Sequence, residues 1–208
     1  MSNLADSWNQ IKAWLEANAP AIYSVQNSSA AGAKTIKRAC KGLELRPPDD
    51  YQDWILNVAN GQRMNNVHNG GTVPSRDQNS VIGICDVVGA GTTTGLMRDY
   101  FKRPPKPDDC SGAVHPVAWH QSWFAFAWDN TNDDGIYLAF EMEPPEGGTP
   151  GQVIYIREKP RTRRVVCESF TQFLTQLAQA YANDEYVYNG AKNTIAKRNP
   201  ESFPNFDA

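Results

Sequence analysis

Long apolar runs are missing from this chain. No stretch approaches the ~18 consecutive apolar residues that a membrane span needs, so no membrane-embedded segment is expected. Histidine is scarce, at three residues, and cysteine stands at four. Cys40, Cys85, Cys110 and Cys167 are far apart, without the short-spaced pairs of zinc and redox motifs. Charge is sparse as well: 21% of residues are charged and the net charge is −3. Nonspecific nucleic-acid binding needs a basic surplus, so no nucleic-acid partner is expected. The N-terminus, Met1-Ser-Asn-Leu-Ala-Asp-Ser-Trp8, lacks a basic region followed by an apolar one. No secretion signal is read there, the cysteines are expected as free, partly buried thiols, and the protein is expected in the cytoplasm.

Catalytic motifs are also lacking. Gly89-Ala-Gly-Thr-Thr-Thr-Gly95 follows an apolar run, but Thr94 stands where a dinucleotide fingerprint needs its third glycine. No Lys-Ser or Lys-Thr pair completes a P-loop, so a flexible connector is the better reading. Cys110, His115 and His120 form the one close grouping of soft metal ligands, yet the two histidines are five residues apart. On a strand, an odd separation puts them on opposite faces. No Gly-x-Ser-x-Gly elbow or cysteine-protease signature occurs. The expectation is no catalytic residue, no metal, no cofactor and no enzymatic activity.

What is there is apolar material for one core: 40% of 208 residues. The densest part runs from Trp119 to Ile156. Trp123, Phe124, Phe126 and Trp128 precede a polar turn at 130–135, and Ile136–Met142 continues as an apolar run. Gly147, Gly148, Pro150 and Gly151 then break the chain before Gln152-Val-Ile-Tyr-Ile156. Aromatic and β-branched runs bounded by such residues predict a meander of antiparallel strands. Val81–Val88, Ala113–Trp119 (interrupted by Pro116) and Arg163–Cys167 are further candidate strands.

Helical spacing marks the two ends. Leu4, Trp8, Ile11 and Leu15 define a first helix that stops before Pro20. A second is expected over 33–41. Pro47-Pro48-Asp49-Asp50 opens a third, whose stripe is Tyr51, Trp54, Ile55 and Val58. Ser169 caps a closing helix with Gln172 at the capping-box position, and Phe170, Phe173, Leu174, Leu177 and Tyr181 face inward. The predicted fold class is therefore α+β: a twisted, mostly antiparallel sheet of five to six strands, flanked by N-terminal helices and a C-terminal helix. Residues 1–182 are expected as a single domain and 183–208 as a polar tail.

Several of these segments, in this order, resemble the SUKH superfamily. The carriers are Gly42-Leu-Glu-Leu-Arg-Pro-Pro-Asp-Asp-Tyr51 with Asn60-Gly61, and the aromatic strand from Trp119 with its acidic turn. Gly151-Gln-Val-Ile154 and Ser169-Phe170 followed by Phe173-Leu174 complete the set. The likeness covers roughly Ser7 to Tyr181, while Val67–Val117 matches poorly. The superfamily includes fungal Smi/Knr regulators of cell-wall synthesis and bacterial immunity proteins that neutralise toxins. None of its motifs is catalytic, so the resemblance implies a fold more than an activity.

One charge pattern points to a partner. From Trp128 to Glu146 there are six acids and no Lys or Arg, whereas Arg157–Arg164 holds five bases and one acid. A solvated edge would look the same. Read functionally, the acidic stretch is a surface for a basic protein, with Asp129, Asp133, Asp134, Glu141 and Glu143 as partner-binding residues. Glu141 and Glu143, two apart, would share one strand face. The resemblance and the compact chain then imply an immunity protein that neutralises a cognate toxin domain. The alternative is a regulatory scaffold of the cell-wall type; a remote third is a hydrolase using the acidic cluster.

Overall fold

A computed structural model describes residues 3–24, 30, 33–34, 37, 40, 45–59, 86–87, 109–128, 136–158, 161–191 and 194–205. Four helices are described among them: α1 (Asn3–Asn18), the single turn α2 (Pro20–Tyr23), α3 (Asp49–Asn57) and α4 (Phe170–Ala182). The strands are β1 (Asp86–Val87), β2 (Asp109–Ser111), β3 (Trp123–Trp128), β4 (Ile136–Glu141), β5 (Gln152–Glu158), β6 (Arg161–Cys167), β7 (Tyr186–Asn189) and β8 (Thr194–Lys197). β1 to β6 form one six-stranded sheet in the order β1-β3-β4-β5-β6-β2. All neighbours are antiparallel except β2, which runs parallel to β6. The α+β class, the meander and the flanking helices are as expected.

The helices lie on one face of the sheet. α1 turns Leu4, Ser7, Trp8, Ile11 and Leu15 inward and packs along α4. Trp14 of α1 meets Tyr181 of α4 with ring centroids 4.8 Å apart. α3 starts where Pro48 holds an extended N-cap (φ −62°, ψ 155°), a conformation its ring favours. Tyr51 then enters the centre of an aromatic core. Its ring lies 4.9 Å from Phe140, 5.1 Å from Phe170 and 5.8 Å from Phe126. Edge-to-face and tilted pairs of this kind add to area burial. Phe126 reaches this core at a register slip of β3 against β4, between Ala125 and Ala127.

Asp50 ties the two helix starts together. Its Oδ2 accepts from the Thr171 amide at 2.8 Å and from the Thr171 hydroxyl at 3.0 Å, in the first turn of α4. Ser169 caps α4 as expected, its Oγ accepting from the Gln172 amide at 3.1 Å. The Gln172 side chain reaches back one residue further than a capping box requires, to the Glu168 amide at 2.8 Å.

Three expectations are corrected or fall elsewhere. Ala113–Trp119 is not a strand: β2 ends at Ser111 and irregular backbone follows. Gly112 has a φ of +79°, which β-branched and most other residues avoid, and Pro116 has no amide for a ladder. The described residues of the stretch expected as a polar tail over 183–208 are structured. β7 and β8 form a hairpin, Tyr186 stacks on Tyr181 at 4.4 Å, and Phe203 packs on Phe173 at 5.3 Å. The Tyr186 hydroxyl also donates to the Phe203 carbonyl at 2.8 Å. Of the helix expected over 33–41, only Ala33, Lys34, Lys37 and Cys40 are described, and the loop at 89–95 lies outside the described residues.

Candidate functional site

The acidic stretch divides in the structure. Asp129, Asp133 and Asp134 lie outside the described residues. Glu143 and Glu146 are exposed, beyond the end of β4. Glu141, the last residue of β4, is 0% exposed. The expected pairing of Glu141 with Glu143 on one surface therefore does not form. β4 stops at Glu141, and Pro144 and Pro145 follow, so alternation no longer governs where Glu143 points.

Glu141 faces the side of the sheet opposite the helices, and it is well partnered there. Ser122 Oγ and Trp123 Nε1 both donate to its carboxylate. The Glu143 amide donates to Oε1 at 3.3 Å. A buried carboxylate is tolerated when donors replace the lost water. These donors come from the start of β3 and from the turn after β4, so Glu141 clasps the ends of the two strands.

Among the described residues, the same face is covered by the irregular segment 112–120. Irregular backbone needs its carbonyls satisfied, and buried side chains of the sheet do so. Arg163 of β6, 0% exposed, donates from Nε to Val117 O at 3.2 Å and from Nη2 to Ala118 O at 2.6 Å. Its Nη1 donates to Arg157 O at 2.6 Å and Thr162 O at 3.0 Å. Glu158 Oε1 lies 3.6 Å away and balances the charge, and the guanidinium sits 5.8 Å from the centroid of the Trp123 ring. Gln152 of β5 donates to Ala113 O at 2.6 Å. Trp119 packs edge-on against Trp123 at 5.6 Å and Tyr137 at 5.8 Å.

Within this cover, His115 and His120 stack, with ring centroids 3.8 Å apart and planes 14° from parallel. The opposite-face expectation fails because they are not on a strand. His115 Nε2 meets Glu143 O at 2.8 Å, and His120 Nδ1 meets Ser122 Oγ at 2.7 Å. Partial burial holds the His120 pKa below its usual value, and the neighbouring His115 lowers it further. His120, Ser122 and Glu141 contain the residue types of a hydrolytic triad in the wrong order. A triad places imidazole between hydroxyl and carboxylate. Here buried Ser122 stands in the middle and gives its proton to Glu141, so it is not set up as a nucleophile. Burial pushes the Cys167 thiol up to about 12, which disfavours its thiolate. The arrangement braces strand ends and irregular backbone. Periodicity could not find it, although Gly112 and Pro116 were the signal that strand geometry did not apply.

The helix-backed sheet with an irregularly covered second face defines an α+β domain whose described polar cluster braces strand ends and irregular backbone. A model of the SMI1 / KNR4 family (SUKH-1) matches residues 31–176. That is more than half of the chain, and the chain belongs to this family. It is also similar to the cell wall assembly regulator SMI1 of Saccharomyces cerevisiae, at 29% identity over 108 residues. That alignment covers 49% of this chain and 20% of the yeast protein. No helix among the described residues is long and apolar enough to cross a membrane.

Proposed function

We propose that this chain acts by contact with another protein rather than by catalysis, and that it neutralises a toxin domain as an immunity protein. The observation that carries the reading is the charge division: six acids and no bases from Trp128 to Glu146. The exposed Glu143 and Glu146 support it from the described part of that stretch. A toxin that attacks nucleic acid needs Lys and Arg to hold phosphate. Carboxylates presented on a compact domain can occupy such a groove in place of the phosphates. Asp129, Asp133, Asp134 and Glu143 are the proposed contacts, and Glu141 holds the strand end from which Glu143 projects. The partner is a protein, with no nucleic acid or membrane contact, and the site of action is the cytoplasm.

A second reading has its own support. The yeast relative is named as a regulator of cell wall assembly, so a regulatory scaffold fits the family equally. This chain spans about a fifth of that protein, and the whole protein's role extends to this domain only as a proposal. Co-expression with a secreted toxin domain, sought first in the neighbouring reading frame, separates the two. Protection of cells by the wild type, weakened in the Asp133→Lys/Asp134→Lys variant, supports immunity through the acidic stretch. Full toxicity despite normal levels of folded protein points to the regulatory reading.

A further inference from the structure

The segment that covers the second face carries two stacked titratable rings, and the two are attached in different ways. His115 and His120 lie face to face, half-buried, with centroids 3.8 Å apart. Glu143 O can only accept, so His115 Nε2 carries a proton and donates it at 2.8 Å. His115 Nδ1 can take a further proton without losing that bond. His120 Nδ1 accepts from the Ser122 amide at 3.2 Å, which requires a lone pair there. Ser122 Oγ lies 2.7 Å from the same nitrogen and donates onward to Glu141. A proton arriving on His120 Nδ1 therefore ends the amide bond and makes Oγ the acceptor, with the Glu141 charge behind it.

We propose that this stack is a proton-operated latch: it holds the cover on the sheet with at most one ring charged, and charging both releases the cover at its two histidine attachments. The surrounding charges account for that count. Glu141 approaches both rings, one donor atom of each of the three residues lying within 4.8 Å of the other two. Glu143 follows in the turn after β4, and these two carboxylates favour a first proton. Arg163 of β6 lies over Trp123, whose ring is 6.4 Å from that of His120, and its charge opposes a second. Cys110 of β2 donates from Sγ to His115 O at 3.8 Å and brings no charge as a thiol. A second proton also meets a cation stacked on it, where like charges repel strongly. Parting the rings costs the His115–Glu143 bond as well as the Ser122 amide bond. Arg163 still holds Val117 O and Ala118 O, so the opening is local. At His120, burial and His115 outweigh the carboxylates and hold its pKa below its usual value. The unfolded chain binds that proton more readily, so this stability is full above about pH 6.5 and falls as the pH drops below it. The latch is independent of the partner contact proposed above, because its readout lies in the cover itself.

The test is hydrogen–deuterium exchange of the full chain at about pH 7.5 and about pH 5.0, which bracket the histidine range, with each amide corrected for its intrinsic rate. The amides of Val117, Ser122 and Trp123 report on the latch, through bonds to His115 O, His120 Nδ1 and His120 O. Their protection should fall at least about tenfold at the lower pH, while amides inside β4 and β5 keep theirs. His115→Gln keeps a donor for Glu143 O, and His120→Asn keeps an acceptor for the Ser122 amide, but neither new side chain can be charged. In each variant, once its melting transition shows a folded chain, acid should leave the three amides protected. Unchanged protection in the wild type at the lower pH overturns the proposal. An equal acid loss in either folded variant overturns it too, and would assign the loss to groups other than the stack.

Discussion

The two faces of the sheet are built on different principles. The helix face is dry: Tyr51, Trp54, Phe126, Phe140, Phe170 and Phe173 are each at most 1% exposed and pack ring against ring. The opposite face holds Glu141, Gln152 and Arg163, all buried and polar, together with Trp119, Trp123 and Tyr137. Helices satisfy their own backbone internally, so side chains facing them need only be apolar. The irregular cover cannot, so the sheet supplies donors to it. The first face is held together by burial, the second by matched hydrogen bonds around charges, where losing one partner is expensive.

The largest effect is expected on the helix face. Phe173→Ala should lower the unfolding free energy by about 3–5 kcal/mol in a urea titration, because neighbouring helices cannot collapse into the space. Next, Arg163→Met should lower it by about 2–4 kcal/mol, since Val117 O and Ala118 O lose their donors at about 1–2 kcal/mol each. Its signature should be local. Limited proteolysis should cut within 112–120 in Arg163→Met and leave α4 intact, and an unchanged cleavage pattern would make the cover a passive lid. Asp50→Ala, which removes acceptors from the first turn of α4, should lower stability by about 1–2 kcal/mol.

The smallest effect is chemical. At pH 8 a thiol with a pKa of about 12 is ionised in roughly one molecule in ten thousand. Iodoacetamide, followed by peptide mapping, should therefore label exposed Cys110 quickly and Cys167 only on unfolding. Equal labelling in the native state would show that the helix-side edge of β6 is open.

The same contrast explains what the sequence made legible. The stripes of α1, α3 and α4 and the meander of β3, β4 and β5 follow from periods of 3.6 and 2, which apply because those segments are regular. Asp49-Asp50-Tyr51 was legible as a helix start. That Asp50 also caps α4, 121 positions later, was not, since a tertiary cap leaves no local spacing. Tyr186-Val-Tyr-Asn-Gly190 carried alternation and an Asn-Gly turn, a hairpin signal outweighed by the polar composition around it. Arg163 sits in a run of bases that reads as a solvated edge, yet it is fully buried: charge composition says nothing about which carbonyls a side chain will meet. Glu141 and Glu143 looked equivalent by parity, and the strand end between them made one a brace and the other a surface group.

That last pair tests the account most directly. A toxin domain against which the chain protects cells should be titrated into the wild type, Glu143→Lys and Glu141→Gln at low and high salt. The account predicts that Glu143→Lys weakens binding and flattens its salt dependence, because a rim charge of the wrong sign slows association. Glu141→Gln should lower the melting temperature, while the molecules that remain folded bind as the wild type does. Equal binding by Glu143→Lys at every salt concentration, with lost affinity in folded Glu141→Gln, would contradict it.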